Sequence, residues 1–244
     1  MASSAEQFAS SFNFGALSKA ADLKKRIWFT LAALVVYRLG TYIPIPGIDP
    51  AVLKEIFDQN AGGILGMFDM FAGGALGRMT IFALNIMPYI SAAIIMQLMT
   101  AVSPNLDTLK KEGEAGRKKI NQYTRYLTVL LAAVQAYGIS VGLENMASGG
   151  GAAVVNPGLF FRATTVITLV GGTVFLMWLG EQITARGIGN GISLIIFAGI
   201  VANLPQALAG TLELGRTGAL SAAFIVLLLL MAVAVIAFIV FIER

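Results

Sequence analysis

The 244-residue sequence has no cysteine and no histidine. Without cysteine there is no disulfide framework, no thiolate nucleophile and no zinc site of the usual sulfur type. Without histidine the common acid/base side chain and metal ligand is missing too. Charge is also scarce. Charged residues make up 12% against 57% hydrophobic, and the mean hydropathy is +0.80, well outside the range of soluble domains. The chain therefore reads as a polytopic membrane protein. Intramembrane proteolysis would need a Ser–His pair, a zinc motif containing His, or paired aspartates in the bilayer. Composition excludes the first two, and no apolar span holds two aspartates. The expectation is no enzyme, no catalytic residue, no metal and no cofactor.

The first 26 residues lack a long apolar core and a cleavage site, so the first span itself is expected to target the chain. Apolar runs of bilayer length lie near 27–43, 79–102, 123–143, 159–179, 190–209 and 218–241, with a shorter run at 62–76 left over. A net charge of +4 could point to nucleic acid, but the distribution of charge decides against direct nucleic-acid contact. With the N-terminus in the cytoplasm, Lys19, Lys24, Lys25, Arg26, Lys110, Lys111, Arg117, Lys118, Lys119, Arg125, Arg186 and Arg244 fall inside, and Lys54, Arg78, Arg162 and Arg216 outside. Twelve against four sets that orientation by the positive-inside rule. Trp28 and Trp178 then fall toward the inner ends of their spans, where indoles favour the interface.

The stretch Gly62 to Met99, GGILGMFDMFAGGALGRMTIFALNIMPYISAAIIMQLM, is nearly apolar and has its glycines in the first half only. As one helix its 38 residues would reach roughly 57 Å, against a hydrocarbon core of about 30 Å. It must be broken, and Gly73-Gly74 is the place. A half-helix with a glycine break survives at membrane depth only when buried in protein or lining a cavity, because lipid cannot satisfy its freed backbone groups. The glycines suit either an element that moves or a static, closely packed re-entrant loop. Asp69 and Arg78 leave it charged on both sides of the break.

Elsewhere, YIPIPGIDP (42–50) fixes an extended turn, and AVLKEIFDQ has the pattern of a short amphipathic helix. The loop 103–125 is strongly charged and is either a solvated topology determinant or a docking surface. Residues 143–158 read as a flexible external loop. In EQITARGIGNGIS (181–193) Asn190 is a plausible N-cap. Its glycine spacing suggests a nucleotide loop, but no strand precedes it and no lysine follows. Ile86 and Ile90, and Ile192 and Ile196, share i,i+4 spacing on their helices, which ordinary packing also produces. The acidic residues fall in loops, at span ends or at Asp69, which weakens the alternative of a secondary transporter with a broken helix.

The phrases YRLGTYIPIPGID, NIMPYISAAIIMQL, KKEGEAGRKKINQYTRY, GTVFLMWLGEQITARGIGNGISLIIFAGIVA and FIVFIER resemble, in order and spacing, the bacterial SecY family of the Sec translocon. The resemblance runs from about Leu23 onward and is most specific in the GEQIT-x-RGIGNGIS block. It implies an all-α polytopic fold: the five-helix half of an inverted-repeat channel (27–209) plus a sixth span (218–241), after a cytoplasmic segment 1–26. It implies a protein-conducting channel in the bacterial plasma (inner) membrane, moving unfolded polypeptide across the bilayer or into lipid. Its partners would be SecE, SecG, and SecA or a ribosome on the cytoplasmic side. The half-span 62–76 matches the family's plug, with Ile64, Leu65, Gly66, Met67, Phe68, Asp69, Met70, Phe71, Gly73 and Gly74 in it. Ile86, Ile90, Ile192 and Ile196 match the pore ring, where apolar side chains disfavour a continuous water column. Ser91 and Ile94 match the lateral gate. Two departures stand out. Position 85 is Asn where the family leads one to expect Gly, and the family has ten spans where six are found. The chain is expected to be part of a longer channel.

Overall fold

The computed structural model describes residues 21–59, 66, 69, 70, 72–148, 151–217 and 221–243. Its elements are helices α1 (Ala21–Gly40), α2 (Pro50–Gln59), α3 (Met87–Val102), α4 (Pro104–Lys111) and α5 (Glu114–Glu144), strands β1 (Ala147–Ser148) and β2 (Gly151–Ala152), and helices α6 (Leu159–Arg186), α7 (Gly191–Val201), α8 (Leu204–Arg216) and α9 (Ala222–Glu243). Gly66, Asp69 and Met70 are helical as well. They form two compact units, Met1–Ile200 and Val201–Arg244.

Among the described residues four helical stretches are long and apolar enough to cross a membrane: Glu114–Glu144, Leu159–Arg186, Gly191–Arg216 and Ala223–Glu243. A fifth appears if α3 and α4, bent by 100° at Ser103, count as one. α1 carries the apolar run 27–39, but its first turns hold Asp22, Lys24, Lys25 and Arg26, and Arg38 lies in its last.

In the first unit α5 packs against α3 and α6, and α1 against α6. Small residues make the close approaches. Ala132 and Ala136 of α5, Ala92 of α3 and Gly172 of α6 are buried, as expected where helices must associate without a hydrophobic driving force between them. One core cluster joins α5 and α6 to a cap built from Ile45, Leu53, Leu143 and Val154. The amphipathic segment 51–59 is helical as its periodicity predicts, with Leu53 and Ile56 buried and Lys54 and Glu55 exposed.

Three stretches differ from the sequence-based expectation. The charged stretch 103–125 is mostly helical: Pro104 starts α4, and α5 begins at Glu114 rather than 123. Proline is favoured in a first helical turn, and a solvated Lys-rich helix is invisible to an apolar scan. Residues 143–158 hold a two-stranded antiparallel ribbon with Ala147 opposite Ala152, and an isolated bridge from Val154 to Ile48. Finally, α3 begins at Met87 rather than 79. Residues 73–86 are turns and one bridge residue, with φ of +45° at Met79 and +49° at Asn85. The second unit consists of α8 and α9, which pack on each other. The central window of α9 contains no buried residue.

Candidate pore waist and re-entrant segment

Residues 72–86 form non-helical backbone that is nevertheless largely buried: Ala72, Ala75, Phe82, Ala83, Leu84, Asn85 and Ile86 are all at 7% exposure or below, and Gly74, Leu76, Gly77, Arg78 and Ile81 are half-buried. That is the condition under which irregular backbone persists at membrane depth. Its polar groups find protein partners. Ile45 N–H donates to the Met79 carbonyl (2.9 Å) and Ile81 N–H to the Ile43 carbonyl (3.0 Å), forming with the Pro44–Thr80 bridge a short antiparallel clamp. Phe82 continues the attachment. Its ring stacks with Tyr37 of α1 at 6.1 Å and Phe175 of α6 at 5.8 Å, and Phe175 meets Trp178 at 5.8 Å. Such pairs contribute about 0.5–1.5 kcal/mol each beyond area burial.

The break itself lies at Gly73 and Gly74, with φ of +66° and +78°, a region glycine enters without the steric cost other residues bear. Gly73 N–H donates to the Met70 carbonyl and Gly74 N–H to the Asp69 carbonyl, the closing pattern of a glycine-terminated helix. The Asp69 carboxylate accepts the Gly77 N–H at 2.7 Å. Gly73 carbonyl accepts from Arg38 Nη1 (3.0 Å) and Arg78 Nη2 (3.1 Å). Asp69 and Arg78, the two charges flanking the break, thus both bind its backbone.

Gly66, Asp69, Met70, Gly73 and Gly74 of the candidate plug are among the described residues. Ile64, Leu65, Met67, Phe68 and Phe71 lie outside them. The isoleucine pairs partly converge. Ile86 is buried at 1% in a cluster with Tyr37, Phe82, Leu176, Leu179, Ile183 and Ile195, and half-buried Ile90 and Ile192 pack against it. Ile196 is half-buried and is not among the described members of that cluster. Ile86 is the N-cap residue of α3, not a residue within it, with Pro88 in the first turn. Pro88 is the sequence signal that would have placed this helix start. Asn85 with its positive φ explains why glycine is not required there, since Asn is among the residues that most readily enter the left-handed region. Ser91 borders a groove of about 520 Å³ shared with Leu76, Leu84, Asn85, Met87 and Gln135. Ile94 is 52% exposed.

At the other end of α6, the glycine block is a close-packing device. A Cβ on Gly191 would overlap the Gly180 carbonyl oxygen. Gly191 N–H donates to Thr184 Oγ1 (2.8 Å), Ile188 N–H to Thr30 Oγ1 (3.1 Å), and Arg26 Nη1 to the Gly187 carbonyl (3.4 Å), tying the turn to α1. Asn190 caps α7 as its position predicts, its Oδ1 accepting from Ile192 N–H at 3.0 Å. Arg125 of α5 grips Glu181 of α6 through two bonds of 2.9 and 2.7 Å, and Arg162 pairs with Glu144 at 2.6 Å. Among the described residues no cluster of carboxylates could hold a metal ion.

The SecY family model matches residues 80–244. The chain belongs to the SecY family. Protein translocase subunit SecY of Escherichia coli strain K12 is 58% identical over 223 residues, 91% of this chain and 50% of its own length. That of Buchnera aphidicola subsp. Acyrthosiphon kondoi is also 58% identical over 223 residues, 62% of its length, and that of Vibrio cholerae 56% over 229 residues, 51% of its length. The chain spans about half the length of most of these relatives. A solved structure described as a protein-conducting channel has a TM-score of 0.52 at 21% identity, covering 79% of this chain and 38% of its own. A SecY structure described in terms of a plug domain that stabilises the closed state has a TM-score of 0.52 at 22% identity, covering 79% and 37%. These likenesses show a shared fold: this is a mostly helical, multi-pass membrane protein of SecY type.

Proposed function

We propose that this chain supplies the N-terminal half of a protein-conducting channel in a bacterial plasma membrane, with its N-terminus in the cytoplasm. The channel passes unfolded polypeptide outward or releases apolar segments sideways into lipid. One observation carries the reading: a broken segment, largely buried between Ala72 and Ile86, ends at an apolar cluster in which Ile86 meets Ile183 of α6 and Ile195 of α7. In this reading 62–76 is the stopper, Ile86, Ile90, Ile192 and Ile196 belong to the waist, and Ser91 and Ile94 lie on the side that opens to lipid. Branched apolar side chains make no hydrogen-bonding demand on a passing sequence and disfavour a standing water column. SecE and SecG are the proposed companion subunits, and SecA or a ribosome the proposed motor. The transporter alternative finds less support, because Glu181 and Glu144, the carboxylates of α6 and the end of α5, are each paired with arginine rather than offered to a coupling ion.

Reconstitution tests the proposal. Proteoliposomes holding this chain alone should not take up a secretory precursor. Adding the complementary C-terminal helices and a SecE-like subunit, with SecA and ATP, should restore uptake. Uptake by the chain alone would overturn the half-channel reading.

A further inference from the structure

The block GIGNGIS holds the one Asn-Gly pair in the chain, Asn190–Gly191. In such a pair the backbone nitrogen of the glycine can attack the asparagine Cγ, because a residue without Cβ leaves the approach open. The glycine amide proton is removed by hydroxide, the nitrogen–Cγ bond forms and ammonia leaves, giving a five-membered succinimide. Water then opens the ring to aspartate or isoaspartate. Two demands of the joint between α6 and α7 bring this reactive pair together. Position 191 must be glycine, because a Cβ there would overlap the Gly180 carbonyl oxygen. Position 190 caps α7: its backbone carbonyl accepts from Leu194 N–H at 3.0 Å, and its Oδ1 from Ile192 N–H at 3.0 Å and Ser193 N–H at 3.5 Å.

The fold treats the two reacting groups differently. Asn190 is exposed, and the N–H groups on its Oδ1 would stabilise the charge that builds there as Cγ is attacked. The nucleophile is withheld. Gly191 is buried, and its N–H donates to Thr184 Oγ1 at 2.8 Å. The single hydrogen of the Thr184 hydroxyl goes to the Gly180 carbonyl at 2.9 Å, so its oxygen faces Gly191 as an acceptor in a fixed orientation. This relay keeps the Gly191 proton from hydroxide and fixes the plane of the peptide that would have to turn toward Cγ. We infer that Asn190–Gly191 is a latent site of self-modification by succinimide formation, and that Thr184 is the positioning residue that keeps it closed in the folded chain. Loss of the joint between α6 and α7 opens the site. The isoaspartate product carries an extra main-chain methylene immediately before Gly191, where the glycine lies against Gly180 without room even for a Cβ, so a modified chain cannot rebuild the joint. None of these contacts depends on a channel role.

The full chain in nanodiscs is incubated in mildly alkaline buffer beside a synthetic peptide of residues 186–194. Aspartate and isoaspartate at position 190 are followed by peptide mass spectrometry, which requires no conduction. The folded chain should react about tenfold more slowly than the peptide, or slower still, the scale of one retained hydrogen bond. Thr184→Val removes the acceptor at an exposed position while keeping the side-chain shape, and should raise the rate about fivefold or more. Thr184→Ser restores a hydroxyl and should return the rate close to the parent's, which loss of packing alone would not do. All rates are taken well below the Tm of each variant, so that unfolding does not supply the reaction. Should Thr184→Val fail to fold, the parent against the peptide and against Thr184→Ser still decides. A folded parent as reactive as the peptide, a folded Thr184→Val chain no faster than the parent, or a Thr184→Ser chain as fast as the peptide would overturn the assignment.

Discussion

In the break at 73–86 the chain turns through four residues of positive φ, namely Gly73, Gly74, Met79 and Asn85, and its carbonyls are met by arginine side chains and by the edge of a neighbouring extended segment. In the break at 187–191 only Gly189 has positive φ, and the decisive contact is backbone against backbone, Gly191 on Gly180. Both read as glycine-rich interruptions between apolar runs. The second is held by main-chain surfaces that cannot retreat; the first adds arginine side chains, which can, to main-chain contacts at Met79 and Ile81. The two breaks thus differ in which atoms oppose the glycine, a side-chain end at Gly74 and a main-chain carbonyl at Gly191.

Substitutions can break or sharpen that contrast. Gly191→Ala should be the most damaging, costing about 3 kcal/mol, because the new methyl meets a main-chain carbonyl with no room to retreat. Thermal unfolding of the purified chain in detergent would register it as a clear fall in Tm. Asn85→Val should cost about 2 kcal/mol in the same assay, since a β-branched residue resists positive φ. Asn85→Gly should stay within about 1 kcal/mol of the parent. Gly74→Ala should cost only about 1 kcal/mol: its φ of +78° is unfavourable for alanine, but the nearest atom, 3.0 Å from the new Cβ, is the end of the Arg78 side chain, which can shift. A Gly74→Ala variant less stable than Gly191→Ala would invert the comparison.

What was legible in the sequence is what hydrophobic periodicity and capping chemistry encode. Leu53 and Ile56 gave a buried helix face, Asn190 a cap, and the apolar runs the helical, membrane-spanning class. The impossibility of a single helix across 62–99 was also legible from length alone, and the irregular backbone there is buried as lipid requires. The extent of the irregularity was not legible. MTIFALNI is as apolar as any helix, and an apolar scan is blind to the positive φ of Met79 and Asn85, although Pro88 marks where the helix can resume. Nor could the i,i+4 spacing of the isoleucines separate Ile86, sealed in the core, from Ile90, Ile192 and Ile196, which stay half-buried. Spacing fixes a face, and burial depends on what the rest of the chain brings against it. The shared partner of Arg38 and Arg78 was equally hidden, because the two meet at Gly73 only after the chain has folded back across the end of α1.

Ion conductance tests most directly whether the isoleucine cluster seals a pathway. In planar bilayers, channels assembled from this chain and complementary C-terminal helices should leak when lysine replaces Ile90 or Ile192. They should stay tight when it replaces Leu98 or Phe197, which are 63% and 61% exposed on the same two helices. A charge at the waist admits water and removes the dewetting barrier, whereas a lipid-facing charge mainly costs insertion energy of about 2.5–3.5 kcal/mol. Leak confined to the isoleucine positions is the predicted result; equal leak at both classes of position, at matched expression, would contradict it.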